Sequence, residues 1–374
     1  MNNKSSAVNS IIRWVILGII LAAAMVFQYL HLKFGVKYPS IHAVCPFGGI
    51  ENLWAWLSGR ANIQKIFSGT MVLFFLTIIF AAIFRRSFCG NICPFGALQE
   101  FIGLAYPKKY KVPQKTDRYL RLIKYVILII SIVMAWFTMT LWISPFDPWA
   151  AFGHIYNFTE MISGYTIGAI ILVLTLIASL FINRIFCKYL CPAGAMYAIV
   201  GKLSFLKIKR NTKTCINCEK CSKKCPMDIE VHKTTDVRSV ECISCMRCID
   251  VCPDPGNMIA SKAGRFNVKP LIVIVISIII FFGSIFVLDK SGFYTVSLPT
   301  QAEVQETGET IGIIDLRGSM TIEQGAFYTG KKLEEFYAIM KIPATVPKET
   351  QLKNVYLYAP GYDFHTIKAN ADSK

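Results

Sequence analysis

The residues best suited to chemistry are the cysteines between Cys215 and Pro253. They form two runs, C-I-N-C-E-K-C-S-K-K-C-P and C-I-S-C-M-R-C-I-D-V-C-P, each spaced C-x2-C-x2-C-x3-C-P. Three thiolates on one tight loop suit three corners of a cubane iron–sulfur cluster. The fourth ligand must come from farther away, and in a two-cluster arrangement the last cysteine of each run ligates the other cluster. The spacing therefore assigns Cys215, Cys218, Cys221 and Cys252 to one [4Fe–4S] cluster, and Cys242, Cys245, Cys248 and Cys225 to a second. Pro226 and Pro253 end each local turn and direct the last thiolate away from its own loop. A zinc site would use only four of these eight cysteines. A disulfide framework belongs to small secreted domains, whereas this segment reads as cytoplasmic.

Four more cysteines fall in a repeat. Phe88–Ala97 reads F-C-G-N-I-C-P-F-G-A and Phe186–Ala195 reads F-C-K-Y-L-C-P-A-G-A, 98 residues apart. Upstream, V-C-P-F-G at 44–48 matches I-S-P-F-D at 143–147. The unit reads as helix, outer loop, helix, inner C-x3-C-P. Two copies in the same sense imply a pseudo-two-fold axis along the membrane normal. On a helix, Cys89 and Cys93 would share a face, as would Cys187 and Cys191. Pro94 and Pro192 suit the first position of a following helix, and Gly96 and Gly194 permit close backbone approach. Four converging thiols could hold a third centre: another iron–sulfur cluster, copper, or two redox disulfides. The structural alternative is free cysteines packed as small hydrophobes. Arg85, Arg86, Arg184 and Lys188 are near in sequence and would favour thiolate. Cys45 has Ser144 as its repeat mate; it reads as an inert thiol, with a metal-ligand or reactive role left open.

The elements that must position these cysteines are membrane helices. The chain has 374 residues, 54% hydrophobic, and a net charge of +17. That charge does not indicate nucleic-acid binding, because the basic residues cluster beside apolar runs, as membrane-flanking loops do. Five runs near the ~20 residues needed to cross a bilayer are Trp14–Leu30, Ile66–Phe84, Tyr125–Ile143, Ile162–Ile182 and Leu271–Leu288. The first is too long for a signal-peptide core and reads as a retained helix. Arg85 to Lys124 and the 183–269 segment are strongly basic, 144–161 carries no lysine or arginine, and the tail after Asp289 is acidic on balance. This bias puts the N-terminus and the cysteine runs in the cytoplasm and the tail outside. The expected fold class is an α-helical integral membrane protein of about five spans, built on a pseudo-two-fold repeat of two-helix units. It carries an inserted α+β two-cluster ferredoxin domain and a small helical C-terminal domain. The expected boundaries are 1–200 for a four-helix membrane domain, 201–265 for the cytoplasmic ferredoxin domain, 266–289 for the fifth span and 290–374 for the outer domain.

The combination of C-P-F-G-G-I-E at 45–51, F-C-G-N-I-C-P-F-G-A-L-Q-E at 88–100, the second C-x3-C-P motif and both ferredoxin runs resembles a known group. It is similar to the membrane polyferredoxin family. That family includes the quinol dehydrogenase membrane subunit of periplasmic nitrate reductase, the regulator-type polyferredoxin of nitrous oxide reductase and the accessory protein of cbb3-type oxidases. The resemblance covers about residues 10–265. It implies a prokaryotic cytoplasmic (inner) membrane protein and electron transfer between a quinone pool and the clusters of a respiratory or redox complex. It implies as partners lipids, quinone and further redox subunits: an iron–sulfur protein, a cytochrome or a flavoprotein. The alternative is a copper reductase or assembly factor for a respiratory oxidase. The fifth span and the tail depart from the family pattern.

Weaker signals complete the reading. E-M-I-S-G-Y-T at Glu160–Thr166 loosely matches a covalent flavin attachment sequence, but Tyr165 would crowd the phosphodiester, so covalent FMN is not expected and a helix start is. Of His31, His42, His154, His232 and His365, none falls within a predicted span. His42 and His154 sit at the outer boundary, either as proton acceptors for a quinol or as solvated interfacial groups. Trp54, Trp56, Trp142 and Trp149 suit an outer aromatic belt. In the tail, Thr321 and Gln324 suit a capping box, Gly330 a break, and Lys332–Ile342 a second helix ended by Pro343.

Overall fold

A computed structural model gives the structure of the chain. It describes residues 2–34, 45–57, 68–138, 141–254, 258–262, 266–294, 304, 310, 312–313, 316, 318, 320–364 and 367. His42, His365 and the start of the predicted second span lie outside the described residues, as does the Trp56 side chain.

Four helices are long and apolar enough to cross a membrane: Val8–Lys33 within α1 (Asn2–Phe34), α6 (Gln114–Thr138), Gly164–Phe181 within α8 (Phe158–Phe181), and α13 (Pro270–Lys290). The remaining predicted span appears as α3 (Ser68–Phe84), 17 residues in its described part. At ~1.5 Å per residue that is about 25 Å, short of a bilayer core of ~30 Å. The third helix starts well before the predicted Tyr125, because Asp117 and Arg121 pair at 2.6 Å one turn apart and carry it through a charged stretch. α1 extends past Leu30, so His31 lies inside a membrane helix, contrary to the expectation that none would.

The repeat motifs do not form continuous helical faces. Each is a pair of short helices meeting at a corner: α4 (Ser87–Asn91) then α5 (Pro94–Leu104), and α9 (Ile185–Tyr189) then α10 (Pro192–Gly201). The proline at each second helix's first turn fixes the break. Cys93 and Cys191 become the N-caps, with their N–H groups donating to Phe88 O at 2.8 Å and Phe186 O at 2.9 Å. The i, i+4 geometry expected from spacing is replaced by a corner that turns both thiols inward.

At the other end of the long helices lie α2 (Phe47–Leu57) and α7 (Pro148–Gly153). A Cβ at Gly49 would strike the Phe74 side chain, so α2 packs directly on α3. At Gly168 of α8 an added Cβ would lie 2.9 Å from the Asp147 carbonyl oxygen, so α8 also approaches closely there. The segment weighed for flavin lies in α8, whose helical geometry breaks at Tyr165 (φ −132°, ψ 27°), after Ser163–Gly164.

β1 (Leu206–Arg210) and β2 (Met258–Lys262) pair antiparallel from Leu206↔Lys262 to Arg210↔Met258, and β3 (Phe266–Val268) adds a third strand leading into α13. Between β1 and β2 run both ferredoxin cysteine loops, with α11 (Lys220–Lys223) and α12 (Arg247–Asp250). Their core includes Ile208, Val231, Met246 and Val273 and Ile274 of α13, which fixes the module to the membrane helices. The tail has its own core, with Met320, Ile322, Phe336, Met340, Leu352 and Val355 fully buried. Its capping box forms as read: Gln324 N donates to Thr321 Oγ1 at 3.1 Å and Thr321 N to Gln324 Oε1 at 3.0 Å.

Candidate iron–sulfur and thiol sites

The two ferredoxin loops fold alike. Asn217 and Glu219 in the first, and Ser244 and Met246 in the second, hold left-handed backbone at φ 51°, 58°, 49° and 60°. These residues stand two and four after the first cysteine of each run, and their turns wrap the chain round a common centre. Cys215, Cys218, Cys221 and Cys252 together line a cavity of about 80 Å³, with Arg210 and His232 in its wall. Three thiols of one run and the last of the other thus share one space. On the other side, Cys248 has Cys242, Cys245 and Cys225 among its electrostatic neighbours, and Cys225 has Cys245 and Cys242. Both four-thiol sets fit the donor sets that the spacing assigns. Among the described residues no three thiol, imidazole or carboxylate groups converge tightly enough to hold a single metal ion. A cubane spreads its ligands over four iron corners and so asks for wider spacing. All thirteen cysteines are unbridged.

The sets differ in exposure. Cys242, Cys245 and Cys248 are buried, whereas Cys215, Cys218, Cys221 and Cys252 are half-buried, and Ile216 beside them is 73% exposed. His232 belongs to the outer set: Ser222 Oγ lies 2.8 Å from its Nδ1 and Glu219 Oε1 3.6 Å from its Nε2.

The membrane cysteines approach one another from two corners. Cys191 has Cys187, Cys89 and Cys93 as electrostatic neighbours, and Cys93 has Cys187 and Cys89. Arg86 and Arg184, at equivalent repeat positions, cross over. Arg86 donates to the Cys187 carbonyl at 3.4 Å, and Arg184 donates to the Cys89 carbonyl. The glycines of the opposite motifs make room, since a Cβ on Gly194 would lie 2.7 Å from Arg86 and one on Gly96 2.9 Å from Arg184. Gln99 adds a donor 3.3 Å from Cys187 Sγ. The other two basic residues face elsewhere: Arg85 donates to Val237 O and Ser239 O, and Lys188 pairs with Asp228. Burial dominates the thiols. It pushes Cys93 up to about 12, Cys191 well up and Cys187 up, with Arg184 opposing it at Cys93 and Cys187. The expected thiolate bias is therefore outweighed by desolvation; a bound cation would reverse this balance.

The first membrane motif touches the inner ferredoxin loop. A Cβ on Gly90 would overlap the Ile243 carbonyl, and Asn91 Nδ2 donates to Ser244 O at 3.3 Å. Cys89 and Cys245 share one buried cluster with Ile243, Met196 and Tyr197. Two buried carboxylates fasten this contact. Glu100 binds Arg13 at 2.9 Å and Arg184 at 2.6 Å, with Arg247 at 3.7 Å. Glu241 binds Arg86 at 2.8 Å and Lys124 at 2.5 Å. Sequence reasoning missed both; the signal for Glu100 was a carboxylate in the otherwise apolar run after Pro94.

Above the thiols lies a cavity of about 1010 Å³ between the membrane helices, its wall including Cys93, Cys187, Cys191, Cys45, Trp142 and Trp149. The two tryptophans read as belt residues thus face this space. His154 is buried rather than solvated, its Nδ1 lying 2.8 Å from Ala150 O and its ring stacked 4.3 Å from Tyr165. Burial leads the influences that push Cys45 up to about 12, which suits a neutral thiol.

A family model described as a 4Fe-4S binding domain matches twice, at residues 68–113 and 166–213, covering both C-x3-C-P motifs. A second, described as a 4Fe-4S dicluster domain, matches residues 207–253. The chain is 34% identical over 224 residues to YccM of Escherichia coli (strain K12), whose name assigns it provisionally to electron transport; this covers 55% of the chain and 62% of YccM. It is 32% identical over 215 residues to MJ0750 of Methanocaldococcus jannaschii, covering 56% of the chain and 83% of that protein. The ferredoxin-type protein NapH of Haemophilus influenzae is 30% identical over 204 residues, 52% of the chain and 66% of NapH. No solved structure matches the chain. Multi-pass helices joined to ferredoxin-type iron–sulfur sites define a membrane-bound electron-transfer protein. The chain belongs to the membrane polyferredoxin family.

Proposed function

We propose that this protein passes electrons between a quinone in the membrane cavity and two [4Fe–4S] clusters, through a third centre held by Cys89, Cys93, Cys187 and Cys191. Cys215, Cys218, Cys221 and Cys252 would hold the outer cluster, and Cys242, Cys245, Cys248 and Cys225 the inner one. Such clusters supply reversible one-electron storage. The observation that carries the reading is the abutment of the first membrane motif on the inner loop, with Gly90 against Ile243 and Asn91 on Ser244. It supports the order cavity, membrane thiols, buried loop, exposed loop. The description of the family model over both C-x3-C-P motifs supports iron–sulfur chemistry there too. The chain's own residues shape this path. Arg86 and Arg184 tie the two motifs to each other, Glu100 and Glu241 hold the ferredoxin module on them, and the apolar core round Cys245 excludes water.

The reading includes five spans with a pseudo-two-fold repeat, counting α3 with the described four. The crossed arginines and the double family match support that symmetry. It places the protein in a prokaryotic inner membrane, with the half-exposed loop round Cys215 as the docking point for a further redox subunit.

The test is the double variant Cys89→Ser with Cys93→Ser, prepared anaerobically. Iron per chain should fall, the ferredoxin-type paramagnetic signals should persist and their reduction by quinol should stop. Unchanged iron together with unchanged quinol reduction would return the four thiols to a packing role. Copper in the unmutated protein would favour the metal-reductase alternative.

A further inference from the structure

The electron path leaves two carboxylic acids unused. Asp147 lines the large cavity and is half-buried there; Glu51 is 3% exposed, and its Oε1 has no hydrogen-bond partner. Both belong to the end of the long helices opposite the thiol corners. Gly49 of α2 abuts Phe74 near the start of α3, Trp136 near the end of α6 donates to Ile50 O at 3.2 Å, and Gly168 near the start of α8 abuts the Asp147 carbonyl. A buried carboxylate oxygen without a hydrogen-bond partner is costly. An oxidisable molecule in this cavity would have electron acceptors at one end and proton acceptors at the other.

We propose that Asp147 is the proton acceptor for a hydroquinone oxidised in the cavity, and that Glu51 behind it passes each proton on. This rests on the quinone reading above. Oxidation breaks two O–H bonds, forms two ring C=O bonds and releases two electrons and two protons. The electrons leave singly to the one-electron iron–sulfur acceptors. Each is matched by one proton, taken from the hydroquinone oxygen by the Asp147 carboxylate; Glu51 releases the proton it already holds to water and takes this one from Asp147. Two such cycles return both acids to their starting states; quinone reduction runs the same steps backward.

The charges round the pair suit a relay. Burial pushes Asp147 up to about 6, opposed by N–H donors from Trp149, at 3.0 Å, and Ala150. Burial and then the Asp147 charge push Glu51 up to about 8. At neutral pH the pair therefore holds about one proton, on Glu51, and leaves the cavity-facing Asp147 ready to accept. Among the described residues the ionisable group coupled to both acids is Cys45, a neutral thiol at this pH, while His154 and Tyr165 on α7 and α8 stack on each other. Against α2 itself pack Thr70 and Phe74 of α3 at Gly49 and Trp136 of α6 at Ile50, none of which titrates here.

The experiment uses the full chain in detergent, with hydroquinone titrated against protein reduced beforehand and quinone against oxidised protein, so that neither turns over. A short-chain benzoquinone and its hydroquinone are titrated separately, read by quenching of the cavity tryptophans. An ionised Asp147 accepts a hydrogen bond from hydroquinone and offers none to quinone. Preference for hydroquinone should therefore rise as pH passes about 6, and Asp147→Asn, which keeps the cap on α7, should abolish the rise. With oxidised protein, hydroquinone-driven reduction should slow on the order of 100-fold in Asp147→Asn and at least about 10-fold in Glu51→Gln, the scale of a lost acid–base group. If both molecules bind with pH-independent preference and neither variant slows reduction, the acid pair is overturned while the quinone reading stands. If neither molecule binds, the quinone reading fails and takes this proposal with it.

Discussion

Single residues carry the tests of two readings. The first is ligand exchange between the ferredoxin runs. Cys252 shares a cavity with Cys215, Cys218 and Cys221, so the first run keeps a full set without Cys225. Cys225→Ser should therefore damage the inner cluster and leave the outer one spectroscopically intact. Loss of the outer signal with the inner retained would reverse the assignment. The second is Glu100, which binds three arginines while buried. Glu100→Gln leaves those charges uncompensated, at a cost of about 3–5 kcal/mol, seen as a lower melting temperature in detergent. Burial raises the carboxyl pKa, but the arginines outweigh it and hold the group well below its usual range. A depressed pKa contributes stability above the unfolded value of about 4.3 and loses it as pH falls below that value. Wild-type protein should accordingly lose stability on acidification below about pH 4.5, and Glu100→Gln should show a shallower acid limb.

At the scale of elements, the short helix pairs are the device that matters. A proline after each second cysteine breaks the helix, and the corner brings thiols, crossed arginines and the ferredoxin loop within reach of one another. The contact depends on Gly90, where any side chain meets the Ile243 backbone rather than a movable side chain. Gly90→Val should separate α4 from the inner loop. The expected result is normal iron loading with quinol-driven reduction slowed at least about 10-fold, measured by stopped-flow absorbance against dithionite-driven reduction as a control. Equal slowing by both reductants would mean that the ferredoxin module itself is damaged. The corner was not legible in the sequence, because C-x3-C has helical spacing and only the proline after it marks a break.

At the scale of the molecule, charge predicts topology, yet several of those charges serve the interior. Arg86 and Lys124 bind Glu241, Arg184 binds Glu100, and Lys109 donates to Leu180 O at the end of α8 at 2.6 Å. The Glu241 pairs hold the ferredoxin module to the same ends of the membrane helices that the positive bias assigns to the cytoplasm. The expected arrangement is N-terminus inside and tail outside. Cysteines introduced at Ser319 and Ser261, labelled in intact cells with an impermeant reagent, check it. Label at 319 alone is expected; label at 261 without 319 would invert the protein.

The sequence by itself determined the cluster chemistry, since thiol spacing along a loop is local and both sets lie within 39 residues, from Cys215 to Pro253. It also determined the repeat of the C-x3-C-P motifs, the capping box of the tail and the apolar runs, each a matter of period or neighbour. Only the tertiary structure decided which basic residues face the membrane thiols, that Trp142, Trp149 and Asp147 line a cavity, and that Glu51, Glu100 and Glu241 are buried. Charge pairing joins buried residues as far as 155 positions apart, as in Arg86 with Glu241. Their energies depend on how much water the packed helices exclude, a quantity that the order of residues along a chain does not carry.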